Sequence, residues 1–97
     1  MKIKVYGVHI AQENSLESVM NDEFVELVKS CGASLVSNGK DPVRYLASFI
    51  LPTKSEQKVF VKKLIERGIK AEADSEPVRV NKAYLEKYLG ATWASEQ

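Results

Sequence analysis

The stretch from Glu13 to Lys29, ENSLESVMNDEFVELVK, constrains the fold of this chain most, because its two sides differ so strongly. Apolar residues recur along it at helical spacing, which predicts an amphipathic helix. Such a helix buries its apolar stripe and shows the other side to water. The side in water is acidic, since five carboxylates precede the first cation: Glu13, Glu17, Asp22, Glu23 and Glu26.

The N-terminal end of this helix has two possible positions. Asn14 followed by Glu17 resembles a capping box, in which each side chain bonds the backbone of the other residue. Asn21, which precedes two acidic residues, is a second possible cap. The helix therefore either begins at the first cap or is broken and begins late. Gly32 marks its C-terminal end.

Three stretches have the patterns of β-strands. Lys2–Ile10 alternates at its start and is rich in β-branched residues. Gly7 within it is compatible with a bulge or a close backbone approach, and we interpret it as a local irregularity. Ser34–Ser37 predicts a short strand. Val43–Leu51, VRYLASFIL, is apolar on both faces, as expected of a central strand. The turn residues NGKDP at 38–42 predict that these last two strands form a hairpin.

The second half of the chain predicts two more helices and another strand. A capping box at Thr53–Glu56 begins a helix that ends at Gly68 and has a basic polar face. Ile69–Ala73 alternates like a half-exposed strand, which residues 78–80 extend after a turn. Asn81 is suited to cap a short final helix, KAYLEKYL.

The order of these elements is strand, helix, strand, strand, helix, strand, and then a C-terminal helix. This order predicts a ferredoxin-like α/β (α+β) sandwich, in which two helices cover one face of a four-stranded antiparallel sheet. The 97 residues form one domain, 1–97. The acidic helix then lies beside the basic one. Attraction between their flanks, ~0–1 kcal/mol per exposed pair, is one explanation of the segregated charge.

The residues that enzymes and metal sites require do not converge in this sequence. The single histidine, His9, is interpreted as a surface residue near a strand end, and the single cysteine, Cys31, as an inert core residue. The sequence has no Cys/His cluster, phosphate-binding glycine loop or calcium-binding loop. We therefore predict no catalytic activity, no cofactor and no bound metal.

The overall charge and the cysteine content indicate a compartment. The net charge of +1 favours neither nucleic acid nor a membrane surface as a partner. No apolar run reaches transmembrane length, and the N-terminal segment does not have the form of a signal peptide. A single cysteine forms no internal disulfide, which is typical of reducing compartments. These features predict a cytoplasmic protein with no membrane contact and little affinity for free nucleic acid.

The acidic residues of the segment 13–26, together with the chain length, resemble the DNA-mimic group of small phage-encoded type I-F anti-CRISPR proteins. Proteins of this group occupy Lys/Arg channels that normally hold phosphates. The resemblance implies a non-enzymatic inhibitor that binds the CRISPR surveillance complex on its Cas7 and Cas8 subunits and blocks target DNA. Most DNA mimics are acidic overall, so the basic second helix has to face away from the partner. The implied protein-binding residues are Glu13, Glu17, Asp22, Glu23 and Glu26.

A second hypothesis is a single-stranded nucleic-acid-binding domain of the RNA-recognition type. Such domains present aromatic residues on the open face of the sheet, where Tyr6, Tyr45 and Phe49 are the candidates, with Arg44 nearby. VRYLASFIL lacks the glycine and most of the aromatic residues of that family's third-strand motif. A third hypothesis is a small regulatory or dimerisation domain whose open sheet face pairs with itself. The predicted state is a monomer or a weak homodimer.

Overall fold

A computed structural model describes residues 2–19, 21–37 and 45–90. The described chain is a mixed α+β protein with one antiparallel sheet and three α-helices. Its elements in chain order are β1 (Lys2–Ala11), a 3-10 turn (Leu16–Ser18), α1 (Asp22–Cys31), β2 (Ser34–Ser37), β3 (Tyr45–Leu51), α2 (Lys54–Glu66), β4 (Ala71–Ala73), β5 (Val78–Asn81) and α3 (Lys82–Tyr88).

The sheet has the strand order β2-β3-β1-β4, and β5 also pairs with β1. All of these pairings are antiparallel. β4 pairs with residues 8–10 of β1, and β5 pairs with residues 2–5. The sheet therefore has five strands where four were predicted. The chain leaves the ladder between β4 and β5, where Pro77 has no N–H to donate to a partner strand.

The main core lies between one face of the sheet and the helices α1 and α2. Phe49, on β3, is at its centre with 0% of its surface exposed. It makes edge-to-face contacts with Phe24 of α1 and Phe60 of α2, at ring-centroid distances of 6.0 and 5.4 Å. These rings fix both helices on the sheet, since aromatic side chains bury a large area and pair with defined geometry.

The acidic helix uses the second of its two predicted starts. The Asn21 side chain accepts a hydrogen bond from the N–H of Phe24 at 2.8 Å, and α1 begins at the next residue. The first candidate, Asn14, has another role. Its amide donates to the carbonyls of Ala11 and Lys70, and it accepts from the N–H of Lys70. Asn14 thus joins the end of β1 to the chain that enters β4.

The other face of the sheet is divided between an apolar half and a polar half. α3 lies over the apolar half, where its Leu85, together with Leu89 directly after the helix, helps to enclose a cavity of about 110 Å³ with Ile3, Val5 and Ile50. The polar half carries His9, Ser48 and Glu72, which are neighbours across β3, β1 and β4. The open face of the sheet is therefore half covered by the C-terminal helix.

Candidate functional site

The structure gathers three of the five predicted acidic residues on one helix face. Asp22, Glu23 and Glu26 are exposed on α1, and Glu26 follows the other two by four and three residues, the spacings that make side chains neighbours. We call these three residues the acidic face. Glu17 lies on the separate 3-10 turn. Glu13 precedes that turn, and its carboxylate pairs with the Nζ of Lys70 at 2.8 Å.

Buried side chains on the other side of α1 hold the acidic face in place. Phe24, Leu27 and Val28 are buried in the core. Gly32 ends the helix in the left-handed conformation, with φ 73°, where its N–H bonds the carbonyls of the last turn. Because these anchors do not involve the three carboxylates, we expect substitutions on the acidic face to leave the packing of α1 intact.

A groove of about 450 Å³ runs between the acidic face and the neighbouring flank of α2. The guanidinium of Arg67 is 3.5 Å from the carbonyl oxygen of Glu23, a long contact with the backbone. Among the described residues, no ion pair within 4.0 Å joins α1 to α2. The two charged helices therefore lie side by side, as predicted, but their carboxylates and cations do not pair. The groove is lined by Asp22, Glu23, Glu26, Leu27, Ser30, Lys63 and Arg67.

A second group of polar side chains, which we call the open-face cluster, lies on the polar half of the sheet. The carboxylate of Asp74 accepts from His9 Nε2 at 2.9 Å, and His9 Nδ1 is 2.7 Å from the hydroxyl of Ser48. The Tyr45 ring stacks on the imidazole at a centroid distance of 4.4 Å, and its hydroxyl donates to Glu72. The imidazole is shielded, with 19% of its side chain exposed, so His9 is not the surface residue that was expected.

A close approach of two chain segments brings Asp74 to His9. A Cβ at Gly7 would collide with the carboxylate of Asp74, so Gly7 leaves the space through which that side chain reaches the ring. The N–H of Asp74 also donates to the carbonyl of Gly7 at 3.0 Å. The buried amide of Gln57, on α2, donates to the carbonyls of both residues at 2.8 and 3.0 Å. The contact between these two segments thus requires a glycine at position 7, which we had interpreted from the sequence as a local irregularity.

Replacing Gln57 by leucine should lower the free energy of unfolding by about 1–3 kcal/mol, because the Asp74 carbonyl then loses the Gln57 donor, while the Gly7 carbonyl keeps the N–H of Asp74. The expected loss should be visible as a lower urea midpoint at an unchanged slope. Lys58→Leu, at the next and exposed position, is the control and should change stability by less than about 0.5 kcal/mol. Equal effects of the two changes would contradict this role of the Gln57 amide.

The residue types of the open-face cluster are those of a serine hydrolase, but their setting differs. A carboxylate only accepts, so His9 Nε2 carries a hydrogen, and in the neutral ring Nδ1 accepts from Ser48. Acyl transfer also needs free N–H groups aimed at the developing oxyanion. Ser48 lies within β3, where it pairs with His9 of β1 on one side and with Ser37 of β2 on the other. The backbone N–H groups near Ser48 therefore belong to the sheet ladders and are not free to form an oxyanion hole. We assign no reaction to this cluster, and the absence of catalysis stays a prediction.

The residues of the nucleic-acid hypothesis do not share one face. Phe49 is in the core, and Tyr6 pairs with the buried Leu51, which places it on the α1–α2 side. Tyr45 reaches the open face because the β1–β3 register shifts, which leaves Leu46 as an extra residue. Arg44 lies outside the described residues. Of the three candidate aromatic residues, Tyr45 therefore lies on the open face without Phe49 or Tyr6 beside it. The two carboxylates of the open-face cluster would also repel the phosphates of a nucleic acid.

Comparisons with family models, with curated proteins and with solved structures found no match to this chain. Within residues 2–19, 21–37 and 45–90, no helix has the length and apolar character needed to span a membrane. The same residues contain no group of three or more histidine, cysteine or acidic side chains placed to hold a metal ion. A functional assignment therefore depends on the geometry and charge of the surfaces described above.

Proposed function

We propose that this protein is a non-enzymatic inhibitor that binds another protein through the acidic face of α1. One observation carries the proposal: Asp22, Glu23 and Glu26 are exposed side by side on an anchored helix and form no ion pair within the described chain. A partner's cations can meet these carboxylates without first breaking an ion pair to any of the described residues. Electrostatic complementarity of this kind speeds association and selects the partner.

The charge density of the acidic face is close to that of DNA. Four residues of an α-helix rise about 6 Å, so Asp22, Glu23 and Glu26 place three carboxylates within that length. Duplex DNA carries about one negative charge per 1.7 Å of its axis, which gives a similar number over the same distance. A Lys/Arg channel that holds phosphates therefore has the charge and spacing to accept this face.

The partner that we propose is the type I-F CRISPR surveillance complex, at the Cas7 and Cas8 subunits that hold target DNA. The anti-CRISPR resemblance of residues 13–26 supports this choice. Lys63 and Arg67 border the acidic face along the groove. The contact is therefore centred on the N-terminal half of α1, away from α2, with Glu17 at its margin.

We also propose that the fold is ferredoxin-like, with its last strand divided into β4 and β5. The antiparallel order β2-β3-β1-β4 supports this assignment, and β5 continues the pairing of β4 along the same strand, β1. In this proposal the protein acts in the host cytoplasm as a monomer or weak homodimer. It needs no cofactor and binds little free nucleic acid.

A competition experiment tests the proposed function. Purified type I-F surveillance complex is mixed with a fluorescent DNA duplex that matches its guide, and the protein is added in increasing amounts. We expect DNA binding to fall as protein is added, and the protein to elute with the complex in gel filtration. DNA binding that is unchanged at a large excess of folded protein, with no co-elution, would exclude this partner.

A further inference from the structure

One edge of the sheet presents backbone groups that an additional strand can use. β4 pairs with β1 on its inner side, and no other described strand pairs with its outer side. The carbonyl of Lys70 and the N–H of Asp74 both bond to β1. Because alternate residues of a strand direct their backbone groups to opposite edges, the N–H and C=O of Ala71 and Ala73 point outward. An outward row of this kind is a template for strand addition.

An apolar groove of about 360 Å³ lies next to this edge, on α2. Its floor includes Ile65, which has 59% of its surface exposed and is one of the most exposed large apolar residues described. Two lysines and one glutamate border the apolar floor, so the border is basic in balance. We call this the α2–β4 groove, and it is lined by Lys58, Val61, Lys62, Ile65, Glu66 and Ala73.

We propose that the outer edge of β4 and the α2–β4 groove together bind an extended peptide segment of a partner protein. The segment adds to the sheet by pairing with Ala71 and Ala73. Every second side chain of an added strand points to the same face, at a repeat of about 7 Å. The side chains of the added strand that point to the α2 side therefore enter the groove. The alternate side chains point to the opposite face of the sheet, where Glu72 lies.

The lining of the groove specifies the chemistry of the peptide. Apolar side chains fit against Val61 and Ile65, and acidic side chains meet Lys58 and Lys62, which are one helical turn apart. An acidic residue on the opposite face of the added strand would instead approach Glu72. The preferred segment thus has acidic and apolar residues on one face and neutral polar residues on the other.

Charge also decides against a second copy of this chain as the occupant. Two copies that pair through β4 about a two-fold axis would bring their α2 helices side by side. The border of the groove, with Lys58 and Lys62 against Glu66, is basic in balance, so each copy would bring a like-charged flank to the interface, which is unfavourable. An acidic peptide has the opposite sign and meets no such repulsion.

The test is a selection from a displayed library of random ten-residue peptides on the intact protein. Binders are counter-selected on Ile65→Glu, an exposed position where folding should be unaffected. We expect enrichment of peptides that carry acidic and apolar residues at alternate positions, with neutral polar residues between them.

Titration of one enriched peptide, followed by NMR, should shift and protect the amides of Ala71 and Ala73. Its affinity should fall at least tenfold for Lys58→Glu/Lys62→Glu and stay unchanged for Glu23→Lys/Glu26→Lys.

Three outcomes would overturn this proposal. They are no enrichment over the Ile65→Glu variant, enriched peptides that are basic, or shifts confined to α1 or the open-face cluster. A concentration-dependent dimer in sedimentation that Ile65→Glu abolishes would instead identify a second copy as the occupant. The unchanged binding of Glu23→Lys/Glu26→Lys separates this site from the acidic face, so that either can fail without the other.

Discussion

Replacing Phe49 by alanine should lower the free energy of unfolding by about 3–5 kcal/mol, the usual cost of removing a buried aromatic ring. Phe49 is fully buried and joins Phe24 of α1 to Phe60 of α2. A domain of this size has about 5–15 kcal/mol in total, so this one change removes a large share of it. Urea unfolding followed by circular dichroism measures the loss.

Tyr45→Ala is the matched control, because it removes an aromatic ring from the same strand but from the open face. That ring stacks on His9, a contact worth about 0.5–1.5 kcal/mol. The loss for Tyr45→Ala should therefore be clearly smaller than for Phe49→Ala. Similar losses at both positions would contradict the placement of Phe49 in the core and revive the stacking surface of the nucleic-acid hypothesis.

Local patterns predicted most of the secondary structure. The strand Ser34–Ser37 and the Asn21 cap of α1 depend on residues close in sequence, and both are found where their patterns place them. The antiparallel pairing of β2 and β3 is also confirmed. The count of strands was wrong because the turn at residues 74–77 divides the last predicted strand into two, β4 and β5.

The open-face cluster could not be predicted, because it depends on contacts between distant residues. Asp74 lies 65 positions from His9, and it had been interpreted only as a turn residue. Tyr45 reaches the cluster through a register shift that alternation along VRYLASFIL does not reveal. Gly7 was the one local signal, since a glycine within a strand often marks a close approach of another segment.

The acidic face was predicted in part. The sequence left open whether one helix carries all five carboxylates or a broken helix begins late, and the structure has the later start, with α1 beginning at Asp22. The break separates the first two carboxylates from the other three. Propensity could not decide between the two caps, because Asn14 is bonded by Lys70, which is 56 positions away.

The double reversal Glu23→Lys/Glu26→Lys should abolish binding of the proposed partner and leave the fold intact. Each desolvated charge pair that is lost costs ~2–5 kcal/mol, so two should weaken binding by at least about a hundredfold. Both side chains are exposed and lie outside the buried set of α1. Asp22 is kept so that the first turn, which loses the acid Glu23, retains one carboxylate that interacts favourably with the helix dipole.

Glu76→Lys/Glu86→Lys provides the control, because it makes the same change in net charge at exposed positions outside α1. In the DNA competition experiment this control should inhibit like the original protein, while the α1 variant should not. A different result is expected if the acidic residues serve only to attract α1 to α2. The α1 reversal would then lower the urea midpoint, because it adds cations beside Lys63 and Arg67, and it would leave inhibition unchanged in the fraction that stays folded.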